Sequence, residues 1–80
     1  MKSYYVFGQV LEALKSGKTD ENKFARKGWN GKNMFIAIQK PDEHSKMQND
    51  YIYMKTADGS LIPWLASQSD LLSDDWEKIN

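Results

Sequence analysis

Hydrophobic residues Phe7, Val10, Leu11 and Leu14 recur at i, i+3, i+4 and i+7, the stripe of a helix that buries one side and wets the other. This spacing predicts a helix over residues 4–16, with Glu12 and Lys15 toward water. Gly17 follows at a C′ position, and Lys15 and Lys18 lie near the negative helix end, where cations are favoured. Residues 18–23 are polar and aperiodic and read as a loop. Further along, the period changes from 3.6 to 2. Met34, Ile36 and Ile38 point one way along a strand, Phe35 and Ala37 the other. Both sets are largely apolar, which predicts a central strand covered on both faces. Tyr51 and Tyr53 alternate with Ile52 and Met54 in the same manner. One face of that strand is either packed inside a monomer core or covered by another subunit.

Turn residues punctuate these runs. Asn30-Gly31 separates residues 23–29 from 32–39, and Asp58-Gly59 separates 51–56 from 60–62. Each pair signals a tight hairpin, because a type I′ turn needs positive φ at both central residues. Residues 40–50, with Pro41, are polar and predict a loop. Pro63 is expected to end its short strand for want of an N–H. Ser67 with Asp70 three residues later has the form of a capping box, opening a short helix through Leu71 and Leu72. Asp74-Asp75 interrupts that helix, and residues 76–79 predict a last short strand. The expected fold class is α+β. It comprises a small antiparallel sheet of two hairpins plus a short last strand, an N-terminal helix and a short C-terminal helix, in one domain spanning 1–80.

Composition narrows the chemistry. A chain of 80 residues buries only about 60% of its unfolded surface. Its three Trp, four Tyr and three Phe, together with oligomerisation, are what remain to support so small a core. With no cysteine and a lone His44, a disulfide framework, Cys-ligated zinc, a thiol nucleophile and a His-rich metal site are excluded. Neither metal nor cofactor is expected. The 11 basic and 11 acidic residues balance, without the basic excess by which duplex-binding proteins neutralise phosphate, so nucleic acid is not an expected partner. No apolar run approaches the roughly 20 residues that cross a bilayer. The N-terminus lacks a signal peptide's apolar stretch, and the expected location is the cytosol, off the membrane.

Two segments carry candidate chemistry. Arg26-Lys27-Gly28-Trp29-Asn30-Gly31-Lys32 gathers cations, a flat aromatic and two glycines around one turn. Glycines let a ligand approach the backbone, Trp29 offers a stacking face, and Arg26 can fork onto a phosphate or carboxylate. The plainer reading is a hairpin with solvated lysines and Trp29 in the core. Residues 63–70, Pro-Trp-Leu-Ala-Ser-Gln-Ser-Asp, present hydroxyls and a helix start that can receive an anion; more plainly, Ser67 caps while Trp64 and Leu65 pack. Asp70, Asp74 and Asp75 do not make a catalytic carboxylate pair on this reading, because acids around short helices cap or are solvated. His44 lies in a polar loop, so no Ser-His-Asp or Cys-His arrangement is assembled. Binding, not catalysis, is the expected activity.

Three stretches, FGQVLEALKSGK (7–18), ARKGWNGKNMF (25–35) and MKTADGSLIPWLASQSDLLSDDW (54–76), closely resemble the second type of Thoeris anti-defence protein, a family of small phage proteins. The resemblance covers well over half the chain. Members act as sponges: the bacterial defence makes a cyclic ADP-ribose signal from NAD, and the sponge captures it uncleaved. The resemblance implies capture of glycocyclic ADP-ribose isomers by a homotetramer with pockets between subunits. It also admits cyclic oligonucleotide signals at separate sites, as in some relatives. The motif positions it implies for the ligand pocket are Phe7, Arg26, Trp29, Asn30, Trp64, Ser67 and Asp70, with no catalytic residue. The chain departs from the family pattern in a longer link at 19–24, a shorter and more charged 40–50 loop, and Ser69 where Thr is common. Competing classes are a direct protein inhibitor of a host defence enzyme, a cyclic-nucleotide hydrolase and a single-strand binder.

Overall fold

The computed structural model describes residues 3–29 and 32–80. Helix α1 (Phe7–Ser16) precedes β1 (Phe24–Arg26), β2 (Phe35–Gln39), β3 (Tyr51–Lys55), β4 (Leu61–Pro63), α2 (Gln68–Leu72) and β5 (Trp76–Lys78). The strands form one antiparallel sheet in the order β4-β3-β2-β1-β5. The α+β class read from the sequence is the class observed. Helix α1 begins three residues later than its stripe suggested, because Tyr5 is drawn into a bridge with Trp76 through reciprocal N–H···O bonds of 2.8 and 3.2 Å.

The apolar stripe does what its spacing requires. Val10 and Leu14 are buried with Phe24, Ile36, Ile38 and Trp76, and Tyr5, Phe7, Trp29, Ile52, Met54 and Trp64 pack around them. Gly17 ends α1 in extended backbone and not in the left-handed region. Its value is space: a Cβ there would lie 2.6 Å from Asn22 Nδ2, which donates to the Ala13 carbonyl at 2.9 Å and satisfies an orphan helix-end acceptor.

Strand β2 is central, as expected, with Ile36, Ala37 and Ile38 buried. Paired residues share a face of an antiparallel sheet, so Ile36, Ile38, Ile52 and Met54 face the helix and Phe35, Ala37, Gln39, Tyr51, Tyr53, Leu61 and Pro63 face away. That second face is not covered by either described helix. Phe35 and Tyr53 meet edge to face at 6.4 Å across it, and Leu61 remains 66% exposed. Ala37 on that second face is nonetheless fully buried, so β2 is covered on both sides at its centre, as expected, and the face opens only toward β4 and Leu61.

Boundaries shift where hydrogen bonding decides them. Strand β1 stops at Arg26 and not at residue 29, because Trp29 N donates to Arg26 O at 3.2 Å and the chain turns at once. The expected Asn30-Gly31 turn lies outside the described residues. The second hairpin loop is one residue longer than a two-residue turn. Gly59 N donates to Thr56 O at 3.0 Å, Thr56 N to Ser60 O at 2.8 Å, and Gly59 takes φ +91°, the conformation a three-residue loop requires of its last residue. Pro63 ends β4, as expected, but from inside it, as the strand's last residue paired with Tyr53. The sheet edge tolerates it, since no neighbour needs its missing N–H.

Candidate functional site

Six of the seven sequence-predicted site residues converge beside the start of α2; the seventh, Asn30, lies outside the described residues. Asp70 is the hub. Its Oδ1 accepts from Arg26 Nη1 at 3.0 Å and from Trp29 Nε1 at 3.4 Å, and its Oδ2 accepts from Ser67 N at 3.0 Å. Ser67 Oγ in turn accepts from Asp70 N at 3.1 Å. The capping box legible in the sequence is therefore built, and its acidic member reaches beyond the cap to hold two functional side chains. The helix start receives its own carboxylate, so the anion read as a ligand there is already supplied by the chain.

The aromatic members form a wall around buried Trp76. Trp29 meets it edge on at 5.3 Å, Trp64 edge on at 6.0 Å, and Phe7 tilted at 5.5 Å; Phe7 also touches Trp64 at 5.8 Å. Trp76 Nε1 donates to the Asp70 carbonyl at 3.0 Å, so indole and cap are locked together. Phe7, Trp29 and Trp64 are half-buried. They pack against the core and keep part of each ring exposed. Leu65, read with Trp64 as a core residue, is 92% exposed, because residues 64–67 leave the edge strand before α2 begins.

Arg26 is engaged twice. Besides Asp70, its Nε donates to Asp75 Oδ1 at 3.0 Å. The hydrogen bond from Asp75, followed by that from Asp70, raises the guanidinium's pKa above its ordinary value against the cost of burial. Burial pushes the Asp70 carboxyl up, but the Ser67 backbone N–H, Arg26 and Trp29 outweigh it and hold it below the usual carboxylate range. Asp75 likewise ends below that range, its burial outweighed by Arg26 and the Gly28 N–H. One cation against two carboxylates leaves the cluster with a net charge of −1. It is built to accept hydrogen bonds from hydroxyls more readily than to hold a phosphate.

Asp75 and Trp76 are the members that sequence reasoning did not place here. The order Asp-Asp-Trp carries no signal of its own. Only the register Arg26↔Trp76 sets Asp75 against the Arg26 turn. Two concavities lie elsewhere, on the open sheet face. Asp20, Gln39, Tyr51, Tyr53, Leu61 and Pro63 line one of about 210 Å³. There the Tyr53 hydroxyl donates to Asp20 Oδ1, and desolvation followed by this bond raises the Tyr53 pKa. Lys23, Phe35 and Lys55 line another of about 280 Å³. None of the six clustered residues lines either one. Among the described residues no three His, Cys, Asp or Glu side chains gather to hold a metal ion, and no helix is long and apolar enough to cross a membrane.

A five-stranded antiparallel sheet with both helices on one face, and an aromatic wall gathered on one carboxylate, defines a small α+β protein with a ring-lined polar cluster. The chain belongs to the Thoeris anti-defense 2-like family, whose domain model matches residues 5–79. A curated relative, Thoeris anti-defense 2 of Bacillus phage SP01, is 33% identical over 93 residues, covering 100% of each chain.

Proposed function

We propose that this protein is an anti-Thoeris sponge, which binds a cyclic ADP-ribose-type signal, glycocyclic ADP-ribose isomers in particular, and holds it uncleaved. The observation that carries the reading is the convergence of Phe7, Arg26, Trp29, Trp64, Ser67 and Asp70 into one cluster in a chain of this anti-defence family. Trp29 and Trp64 offer indole faces for the adenine, at about 1–3 kcal/mol per stacked base. Asp70 keeps a carboxylate lone pair for a ribose hydroxyl. The pyrophosphate, disfavoured by a cluster of net −1 charge, falls to backbone N–H groups and cations outside it. With about 35 heavy atoms at ~0.3 kcal/mol each, ~10 kcal/mol is available, a Kd of tens of nanomolar. Leu65 at 92% and Leu72 at 83% exposure lie beside Trp64 and on α2. Such apolar exposure supports a second subunit completing the pocket, within the homotetramer we propose.

Isothermal titration with glycocyclic ADP-ribose isomers tests this. Wild type is expected to bind at nanomolar Kd, and Trp29→Ala, checked as folded by circular dichroism, to lose about tenfold or more. No heat with any isomer, and no rise in melting temperature, would discard the sponge. It would favour direct inhibition of a host enzyme through the open face of Tyr51, Tyr53 and Leu61. Heat only with cyclic oligonucleotides would move the ligand class.

A further inference from the structure

We infer that Asp75 is a positioning residue of the proposed pocket: its carboxylate clamps the turn that carries Trp29 and so fixes the indole that meets the ligand. The inference deepens the sponge reading and rests on it for its affinity arm alone.

Three contacts make the clamp. The Asp75 carbonyl accepts from Lys27 N at 3.1 Å, Asp75 Oδ2 accepts from Gly28 N at 3.2 Å, and Asp75 Oδ1 accepts from Arg26 Nε at 3.0 Å. One acid therefore takes both backbone donors that the turn leaves after β1, together with the side chain that precedes it. The Trp29 N–H closes the turn on Arg26 O at 3.2 Å. From there the indole reaches Trp76 at 5.3 Å and Asp70 Oδ1 at 3.4 Å. That same Oδ1 holds Arg26 Nη1 at 3.0 Å, so Arg26 is the strut between the two acids and the indole rests against it.

Among the described residues another hold on the turn is Lys27 Nζ over the Tyr4 ring at 5.5 Å. Gly28 is exposed and contributes no side chain, and residues 27–29 lie outside every strand. Trp29 Nε1 stands at the long end of hydrogen-bonding distance from Asp70, so a small rotation of the turn breaks that bond. Position is what a stacking residue must supply, since a displacement of about 1 Å costs a preorganised site heavily. Asp75 does this without touching the ligand face formed by Phe7, Trp29 and Trp64.

The test uses the full-length protein as purified. Asp75→Asn keeps one oxygen acceptor but turns an amide N–H₂ toward either Gly28 N or Arg26 Nε; Asp75→Ala removes both acceptors. Two-dimensional ¹⁵N NMR reports the three indole N–H resonances, with Trp29 assigned through Trp29→Phe. Expected are a shifted or broadened Trp29 indole resonance in both variants, Trp64 and Trp76 resonances in place, and at least a tenfold loss of affinity for the glycocyclic ADP-ribose isomer that wild type binds best. Asp75→Asn is expected to melt within a few degrees of wild type, which separates positioning from general destabilisation. An unmoved Trp29 resonance in Asp75→Asn overturns the inference, as does a moved resonance with undiminished affinity. If wild type binds none of the isomers, the sponge reading fails and the indole resonance alone decides the role of Asp75.

Discussion

Replacing Asp70 with Ala removes the hub of the cluster, and its cost can be worked from the contacts. The reciprocal cap with Ser67 is lost, worth about 1 kcal/mol for a helix N-terminus. Trp29 Nε1 and Arg26 Nη1 lose their common acceptor. Hydrogen bonds to a charged group contribute about 1.5–3 kcal/mol when buried. The Trp29 bond is long at 3.4 Å, and Arg26 keeps Asp75 and is 20% exposed in its side chain, so each share falls to about 1 kcal/mol. The sum is about 3 kcal/mol. Asp70→Asn retains one acceptor oxygen and should cost about half as much. Glu12→Ala, on the wet side of α1, should stay within about 0.5 kcal/mol. Urea denaturation followed by tryptophan fluorescence, at one fixed protein concentration because assembly shifts apparent stability, measures all three. At about 4–8 °C per kcal/mol for a domain of this size, Asp70→Ala should melt some 12–24 °C below wild type. A loss under about 1 kcal/mol would refute the hub, since a capping contribution alone reaches that value.

Acid should act through the same carboxylates. Asp70 and Asp75 have folded-state pKa values below their unfolded ones. Their contribution is complete above the unfolded carboxylate pKa of about 4 and is lost as pH falls through the folded values; melting temperature should be flat from pH 7 to about 5 and fall below 4, less steeply in an Asp70→Asn, Asp75→Asn double variant. Gly59→Ala places a Cβ at φ +91° and should cost about 1–2 kcal/mol, seen as a fall in melting temperature, with Gly59→Asn milder because Asn tolerates positive φ.

Periodicity exposed most of the fold. The i, i+3, i+4, i+7 stripe gave α1 because Val10 and Leu14 face Ile36 and Trp76, and alternation gave β2 and β3 because one set faces the helix. Turn chemistry was less decisive at the ends. Arg26 ends β1 because the chain turns there, with the Gly28 N–H leaving the sheet for the carboxylate of Asp75, 49 residues from Arg26 in sequence. Such long-range partners leave no mark in a local window. The same limit applies to the site. Ser67 and Asp70 were legible as a cap because they are neighbours, whereas the link from Asp70 to Arg26 and Trp29 depends on β1 pairing with β5. The apolar alternation of Tyr51 and Tyr53 signalled a face in need of cover, and both rings are half-buried on a face that neither described helix covers. Leu65 misled because apolar character alone does not distinguish a core position from an exposed one.

Capture without cleavage is measured most directly by release. The protein is mixed with an excess of glycocyclic ADP-ribose, washed by filtration and heated until it unfolds, and the freed small molecule is weighed by mass spectrometry. The account predicts that the intact cyclic molecule returns in stoichiometric amount and regains its power to activate the Thoeris effector. Recovery of linear ADP-ribose, or of nothing retained through the wash, would contradict it.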